Sequence, residues 1–142
     1  MQRTVTASRE LLAPRRDVWA FVAEPHNLPN WWPKVGGVVP DRRGLAAGAR
    51  WQVIAPPEPT LLRRPAAEDQ LVIVAVEREA RLAFRLVKEK LDVELRIEAA
   101  GPERTRAELD VKGSWWAGLS PALPREALDR IWSLCQTAAK PS

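Results

Sequence analysis

Apolar and polar residues alternate along three successive segments in the second half of the chain, 82–87, 91–98 and 106–112. A period of two sends neighbouring side chains to opposite faces of a sheet, so each segment is predicted to be a strand with one buried and one solvated face. The run at 71–77 is nearly continuous in apolar residues, which is typical of a strand covered on both faces. These segments together predict an antiparallel meander.

Charged residues predict how the last two strands pair across the turn at Gly101-Pro102. Opposite charges on directly facing residues stabilise an antiparallel pair, and like charges destabilise it. The favoured register pairs Glu98 with Arg106, Arg96 with Glu108 and Asp92 with Lys112, and leaves Glu94 facing Asp110 as its one like-charged pair. A slide by two residues would oppose like charges at two positions. All eight side chains are expected to be solvated and to carry no function.

The opening of the chain predicts a strand followed by two short helices. Residues 3–12 favour extended structure, and Pro14 suits the first position of a helix whose apolar face includes Trp19. Prolines at 25, 29 and 33 limit the segment 26–33 to one or two tight helical turns.

Two further strands are predicted before the meander, at 34–40 and 49–55, with a turn at 41–44 between them. Trp51 and Val53 share one face of the second strand. Prolines at 56, 57, 59 and 65 predict that 55–67 is a loop, with a short strand at 61–62.

The last predicted element is a helix of about 15 residues at 124–138, with proline near its start. Its apolar stripe consists of Ala127, Leu128, Ile131, Leu134, Cys135 and Ala138. Since no other predicted amphipathic element is long enough, this helix is expected to cover the apolar face of the meander. The chain is therefore predicted to form one α+β domain over 1–142, with a curved antiparallel sheet of about six or seven strands around a C-terminal helix and two short helices after strand 1.

Composition narrows the range of partners. The net charge is +4, but 22 basic residues are interspersed with 18 acidic ones, so a nucleic-acid partner is not expected. No run approaches the ~20 apolar residues that span a bilayer, and the first residues lack the apolar core of a signal peptide. Neither stable membrane insertion nor export is therefore expected. The single cysteine cannot form an internal disulfide, and a cytoplasmic location is predicted.

A motif near the N-terminus adds a family resemblance. The segment from Leu11 to Val22, which contains Ala13-Pro14-Arg15-Arg16-Asp17-Val18-Trp19, is followed by Leu28-Pro29-Asn30-Trp31-Trp32-Pro33. Together with the element order, it resembles the bacterial polyketide cyclase/dehydrase and lipid-transport branch of the START-like (SRPBCC) superfamily. The resemblance implies a helix-grip fold with an internal hydrophobic cavity, but it does not choose an activity.

Aromatic and aliphatic residues on the inward faces are the candidate ligand contacts. The family resemblance places Trp31 and Trp32 at the rim of the cavity mouth. The candidates are Trp31, Trp32, Trp51, Phe84, Leu95, Leu109, Trp115 and Ile131. Packing in the core or lid is the alternative role for the Trp residues. Arg9 is the one candidate polar residue of the pocket, provided that the face it shares with Val5 and Ala7 turns inward.

Candidate chemistry is sparse. His26 is the only histidine and is expected at the surface or in a capping role, while Cys135 is expected to be a buried structural thiol. No metal site, cofactor or catalytic residue is assigned. The predicted function is binding of a small hydrophobic ligand, aromatic or lipid-like, by a monomer or homodimer. Two alternatives stay open: a polyketide cyclase or dehydratase, and a protein-interaction or cochaperone-like module.

Overall fold

The computed structural model of the protein describes residues 2–33, 35–54, 69–114 and 119–139, the side chains of 136–139 excepted. The strands are β1 (Arg3–Leu11), β2 (Gly37–Val39), β3 (Arg50–Ile54), β4 (Asp69–Glu77), β5 (Arg81–Leu86), β6 (Leu91–Gly101) and β7 (Arg104–Gly113). The helices are α1 (Arg15–Val22), α2 (Leu28–Trp31) and α3 (Leu123–Ala139), and a 3₁₀ turn at Pro25–Asn27 precedes α2. The predicted 55–67 loop, its 61–62 strand and Trp115 lie outside the described residues.

The strands form one antiparallel sheet in the order β1-β7-β6-β5-β4-β3-β2. This is the predicted helix-grip arrangement of a seven-stranded sheet around a C-terminal helix, with two short helices after the first strand. The predicted register of β6 and β7 is confirmed at every pair, including Glu98 with Arg106 and the like-charged Glu94 with Asp110. Local charge and apolar patterns were sufficient here because each residue of one strand faces one residue of the next.

The helices of the described ranges cover one face of the sheet, here called the inner face. On this face α3 packs against β1 and β7 and also contacts α2. Alternation along β6 and β7 buries one side chain in two, as in Leu95 and Leu109, each 1% exposed or less. The other side, the outer face, is open to solvent and carries the charged partners.

The prediction that β4 is covered on both faces is wrong. Val74 is 55% exposed, because no helix of the described residues covers the outer face at this point. A bulge between Ile73 and Ala75 shifts the register with β5 at this point. The apolar run therefore reflects a half-buried strand whose outward valines suit extended structure.

The start of α1 also differs slightly from the prediction. Pro14 is not the first helical residue but the extended residue before it, with φ −65° and ψ 153°. Its carbonyl accepts hydrogen bonds from the backbone N–H groups of Asp17 and Val18, at 3.0 and 3.1 Å. The ring fixes φ at a value that suits either position, so sequence alone does not separate them.

Candidate ligand-binding cup

Three aromatic rings meet on the inner face of the sheet. Trp31 ends α2, Trp32 follows it, and Phe84 projects from the middle of β5. The ring centroids are 6.4 Å apart for the two indoles, and Phe84 lies 6.2 Å from Trp31 and 5.9 Å from Trp32. All three contacts are edge-to-face, the geometry that aromatic quadrupoles favour. We call these three residues the inner aromatic cluster.

The short helix α2 delivers both indoles to the sheet. Its first residue, Leu28, is buried, and the side-chain amide of Asn27 donates to the carbonyl of Phe21 at 3.1 Å, which ties α2 to the end of α1. Trp32 caps the helix through its N–H to the carbonyl of Leu28 at 2.8 Å, and its backbone is already extended. The two indoles therefore leave the chain in different directions, one from a helix and one from an extended residue. Both have 0% exposure, deeper than the rim of a cavity mouth where the resemblance suggested them.

The indole nitrogens of Trp31 and Trp32 are buried polar groups. Neither N–H has a hydrogen-bond acceptor among the described residues. Buried donors are normally paired, because an unmade hydrogen bond costs about 1–3 kcal/mol. Two such groups in adjacent residues, inside an otherwise apolar region, are therefore unusual.

Trp51 gives the contrasting case on β3. It is 3% exposed, and its indole N–H donates to the carbonyl of Gly44 at 2.8 Å. The loop that presents this carbonyl is held by Asp41, whose carboxylate accepts from the backbone N–H groups of Arg50 and Arg43, each at 2.9 Å. These hydrogen bonds lower the pKa of Asp41, and the bond from Arg50 has the largest effect. Gly44 itself has φ +61°, a conformation that glycine adopts at little cost.

The remaining apolar candidates lie on the same inner side. Leu95 faces Leu109 directly across β6 and β7, and Ile131 on α3 has 0% exposure. With Phe84 they belong to one buried apolar core between the sheet and the helices α2 and α3, and we call this region the cup. The structure brings together every described ligand-binding candidate on this side of the sheet.

Arg9 lies on the inner side of β1, at the margin of the cup. It faces Ala107 across the strand pair, its guanidinium pairs with Asp129 of α3, and it lies 4.4 Å over the ring of Trp132. Its side chain is 35% exposed. The cation is therefore already neutralised and stacked at the sheet edge. The sequence analysis missed this contact, although Asp129 and Trp132 stand three apart on one helix face, which is the signal that could have revealed it.

Two other polar side chains are buried for structural reasons that the sequence analysis did not identify. Thr105 has 0% exposure and donates its hydroxyl to the carbonyl of Ala13 at 2.7 Å. Asp69 accepts from the backbone N–H groups of Gln70 and Lys88 at 2.7 and 2.6 Å, and so holds the turn between β5 and β6. An acidic residue that opens an apolar run was the available signal for Asp69.

His26 and Cys135 have the exposure that the sequence predicts for them. His26 is exposed in the 3₁₀ turn, and its backbone N–H donates to the Glu24 carboxylate at 3.3 Å. Cys135 is a buried free thiol, and burial raises its pKa, with a smaller contribution from Asp17. Within the described parts of the chain, no group of three or more His, Cys, Asp or Glu residues could hold a metal ion.

Two open depressions on the surface of the molecule are lined by charged residues. One of about 340 Å³ is lined by residues that include Arg81, Arg96 and Glu108, and another of about 470 Å³ runs between β1 and α3 beside Arg9 and Asp129. Because both are open to solvent and lined by ionised groups, they would not bury an apolar ligand.

In the described ranges, no helix is both long and apolar enough to cross a bilayer.

Known structures share this fold at low sequence identity. A START superfamily protein from Mycobacterium smegmatis superimposes with a TM-score of 0.72 at 12% identity, covering 96% of this chain and 99% of that one. The di-domain ARO/CYC BexL from the BE-7585A biosynthetic pathway gives 0.74 at 15%, and this chain matches 48% of its length. A norcoclaurine synthase point mutant from Thalictrum flavum, in complex with a transition-state analogue, gives 0.64 at 14%, with 99% and 98% covered.

Sequence comparison identifies the family more specifically than similarity of fold does. No curated protein shows significant similarity to the chain. The sequence profile described as "Polyketide cyclase / dehydrase and lipid transport" matches residues 2–133, which is nearly the whole chain. The protein therefore belongs to the polyketide cyclase/dehydrase and lipid-transport family of START-like proteins.

Proposed function

We propose that the protein binds a small, mainly apolar ligand in the cup, between the sheet, α3 and the inner aromatic cluster. The contact residues of this proposal are Trp31, Trp32, Trp51, Phe84, Leu95, Leu109, Trp115 and Ile131, with Arg9 at the margin. The proposal includes a cytoplasmic location, in keeping with a single cysteine that is a buried thiol.

The inner aromatic cluster is the observation that carries the proposal. Trp31, Trp32 and Phe84 pack edge-to-face on the inner face of the sheet, in one buried apolar core with Leu95 and Leu109. Aromatic side chains with a few polar groups are the usual lining of small-molecule sites. Membership of a family described by cyclase, dehydrase and lipid-transport functions supports the same conclusion.

Binding is favoured over catalysis by the state of the inward polar groups. Proton transfer needs a group that is available to a bound substrate. Arg9 is paired with Asp129, and the Thr105 hydroxyl is bonded to the Ala13 carbonyl. The ARO/CYC and norcoclaurine synthase relatives share the fold only, at 15% and 14% identity, so their activities do not decide between the two.

The expected affinity follows from apolar burial. A ligand that loses about 300 Å² of apolar surface would gain about 7 kcal/mol before the entropic cost of association, which leaves binding in the micromolar range at best. Shape would then supply much of the specificity. An apolar naphthalene-type fluorescent probe should bind and change the tryptophan emission, because several indoles border the cup.

The decisive variant is Leu95→Trp, which adds a large ring inside the cup. We expect it to abolish probe binding while circular dichroism and thermal unfolding show a folded protein. The matched control is Val74→Trp, which adds the same ring to the outer face, where Val74 is 55% exposed. If the two variants and the parent bind the probe equally, the ligand does not occupy the cup.

A further inference from the structure

The sheet has two edge strands, and they are protected to different degrees. Proteins limit pairing with other chains at an edge by keeping the strand short or by placing proline or a bulge in it. At one edge, β2 has only the three residues Gly37–Val39 and is followed by Pro40. At the other edge, β1 has nine residues without a proline, and it pairs with β7 in an unbroken register from Arg3 to Leu11. β1 therefore lacks the features that make β2 a poor partner for a further strand.

A groove follows the side of β1 that faces away from β7. Its volume is about 470 Å³, and it is lined by the consecutive residues Thr6 to Arg9 and, on α3, by Arg125, Leu128 and Asp129. Successive residues of a strand point to opposite faces of the sheet, so a groove lined by consecutive residues lies along the edge of the strand. Within the described ranges, β7 is the only strand that pairs with β1. The outward backbone groups of β1 can therefore pair with a strand placed in the groove.

The charges in the groove suit a second copy of the same chain. Arg9 is paired with Asp129 of its own chain, so it does not repel an incoming strand. The α3 wall carries one cation and one carboxylate, Arg125 and Asp129. A two-fold axis brings the same patch of two chains together, and a patch that holds both signs of charge is complementary to itself.

The sequence of β1 also allows it to pair with itself. Directly facing residues of an antiparallel pair share one face of the sheet, so the two-fold axis lies at a residue. An axis at Ala7, the middle of the strand, pairs all nine residues and sets no like charges against each other. An axis at Thr6 would pair only residues 3–9 and set Arg3 against Arg9, and an axis at Ser8 would pair only residues 5–11. The pairs about Ala7 are Arg3 with Leu11, Thr4 with Glu10, Val5 with Arg9, and Thr6 with Ser8.

We propose that β1 pairs antiparallel with β1 of a second copy about a two-fold axis at Ala7. The two sheets then join into one continuous sheet, with both α3 helices on the same side of it. This surface lies outside the cup, and the pairing does not depend on the proposed ligand.

The test compares two pairs of lysine substitutions by sedimentation velocity of the full chain over a range of concentrations. The parent should sediment as a dimer that dissociates on dilution. Thr6→Lys combined with Ser8→Lys should weaken the dimer by about tenfold or more, because each new lysine faces another across the axis. Within the chain the same positions face Asp110 and Glu108 of β7, so the monomer should keep its stability.

Val39→Lys combined with Ile54→Lys is the matched control. These residues are 51% and 43% exposed at the β2 side of the sheet, so the variant gains the same charge at the opposite edge. It should dimerise as the parent does. Loss of the dimer in this variant, with retention of the dimer in the β1 variant, would place the interface at β2 and overturn the proposal.

A cross-link locates the axis without relying on repulsion. In a Cys135→Ala background, Ala7→Cys places each thiol opposite its symmetry mate, with the Cα atoms about 5 Å apart, and oxidation by copper phenanthroline should join two chains through one disulfide. Thr4→Cys sets the two thiols about 20 Å apart along the strands and should not cross-link. A parent that stays monomeric at every concentration, or equal cross-linking of the two cysteine variants, would overturn the proposal and leave the groove to a strand of a different protein.

Discussion

The two faces of the strands β5 to β7 are stabilised by different interactions. On the inner face, Phe84, Leu95 and Leu109 are each 2% exposed or less and contact other apolar groups. On the outer face, Arg96 and Glu108 form an ion pair while each keeps 38% of its side chain exposed. Both faces share one register, but they contribute differently to the stability of the fold. Burial of apolar side chains on the inner face stabilises it far more than partly solvated ion pairs on the outer face do.

The outer face shows how a sheet accommodates like charges. Glu94 and Asp110 face each other, yet Arg96 lies between them, with one guanidinium nitrogen 2.6 Å from Glu94 and 2.9 Å from Asp110. Arg81 and Arg96 also face each other, and both pair with Glu94. Hydrogen bonds to Asp110 and then to Glu108 raise the pKa of Arg96. We call these five residues the outer ion-pair network; its arrangement favours one register while contributing little to total stability.

The largest expected effect tests the inner face. Phe84→Ala removes the ring that contacts both Trp31 and Trp32, and should lower the free energy of unfolding by about 3–5 kcal/mol, from lost burial and the cavity left behind. Urea unfolding followed by circular dichroism measures it. Arg85→Ala, the next residue on the outer face, should cost less than about 1 kcal/mol. Equal costs for the two variants would contradict the contrast between the faces.

Thr105→Val tests a buried polar group on the inner side. The change keeps the shape and removes the hydroxyl that donates to the Ala13 carbonyl, so it should cost about 1–3 kcal/mol. Thr6→Val is the matched control, because the Thr6 hydroxyl donates to Asp110 at 2.8 Å on the exposed side. The control should shift the urea midpoint little. A shift as large as that of Thr105→Val would mean that burial does not set the cost.

Arg96→Met tests the outer ion-pair network. It leaves Glu94, Glu108 and Asp110 close together without their shared cation, and should cost about 0.5–1 kcal/mol at low ionic strength. Since salt screens the remaining repulsion, the deficit should shrink as salt is raised to about 1 M, where the screening length is about 3 Å. Unfolding in urea at two salt concentrations measures this. A deficit unaffected by salt would show that Arg96 acts through packing of its stem.

The last prediction concerns the reagent access of a buried thiol and involves the smallest change in stability. Cys135 is buried and its pKa is raised, so in the native protein it should react with a disulfide reagent more than about tenfold more slowly than an exposed thiol. The comparison is Val74→Cys in a Cys135→Ala background, which places a thiol on the outer face. Denaturant should make the two rates equal. A fast native reaction of Cys135 would mean that α3 opens readily from the sheet.

Much of the fold and the inward position of several candidate residues followed from the sequence because they depend on local pattern. The β6–β7 register could be predicted from the charges of directly facing residues. The inward position of Leu95 and Leu109 could be predicted from the alternation of apolar and polar residues. The depth of Trp31 and Trp32 could not be predicted in this way. It depends on where the four-residue helix α2 docks on the sheet, and the strand that carries Phe84 begins at Arg81, fifty residues after Trp31.

The sequence by itself thus determined the order of elements, the register of β6 with β7 and the apolar character of the inner face, since these arise from neighbours along the chain and directly across a turn. Only the tertiary structure decided which polar groups are satisfied. Trp51 meets the carbonyl of Gly44, Arg9 meets Asp129 of α3, and the nitrogens of Trp31 and Trp32 meet no acceptor among the described residues. A hydrogen bond needs two groups within about 3 Å, and for groups 120 residues apart, as Arg9 and Asp129 are, only the packed fold sets that distance.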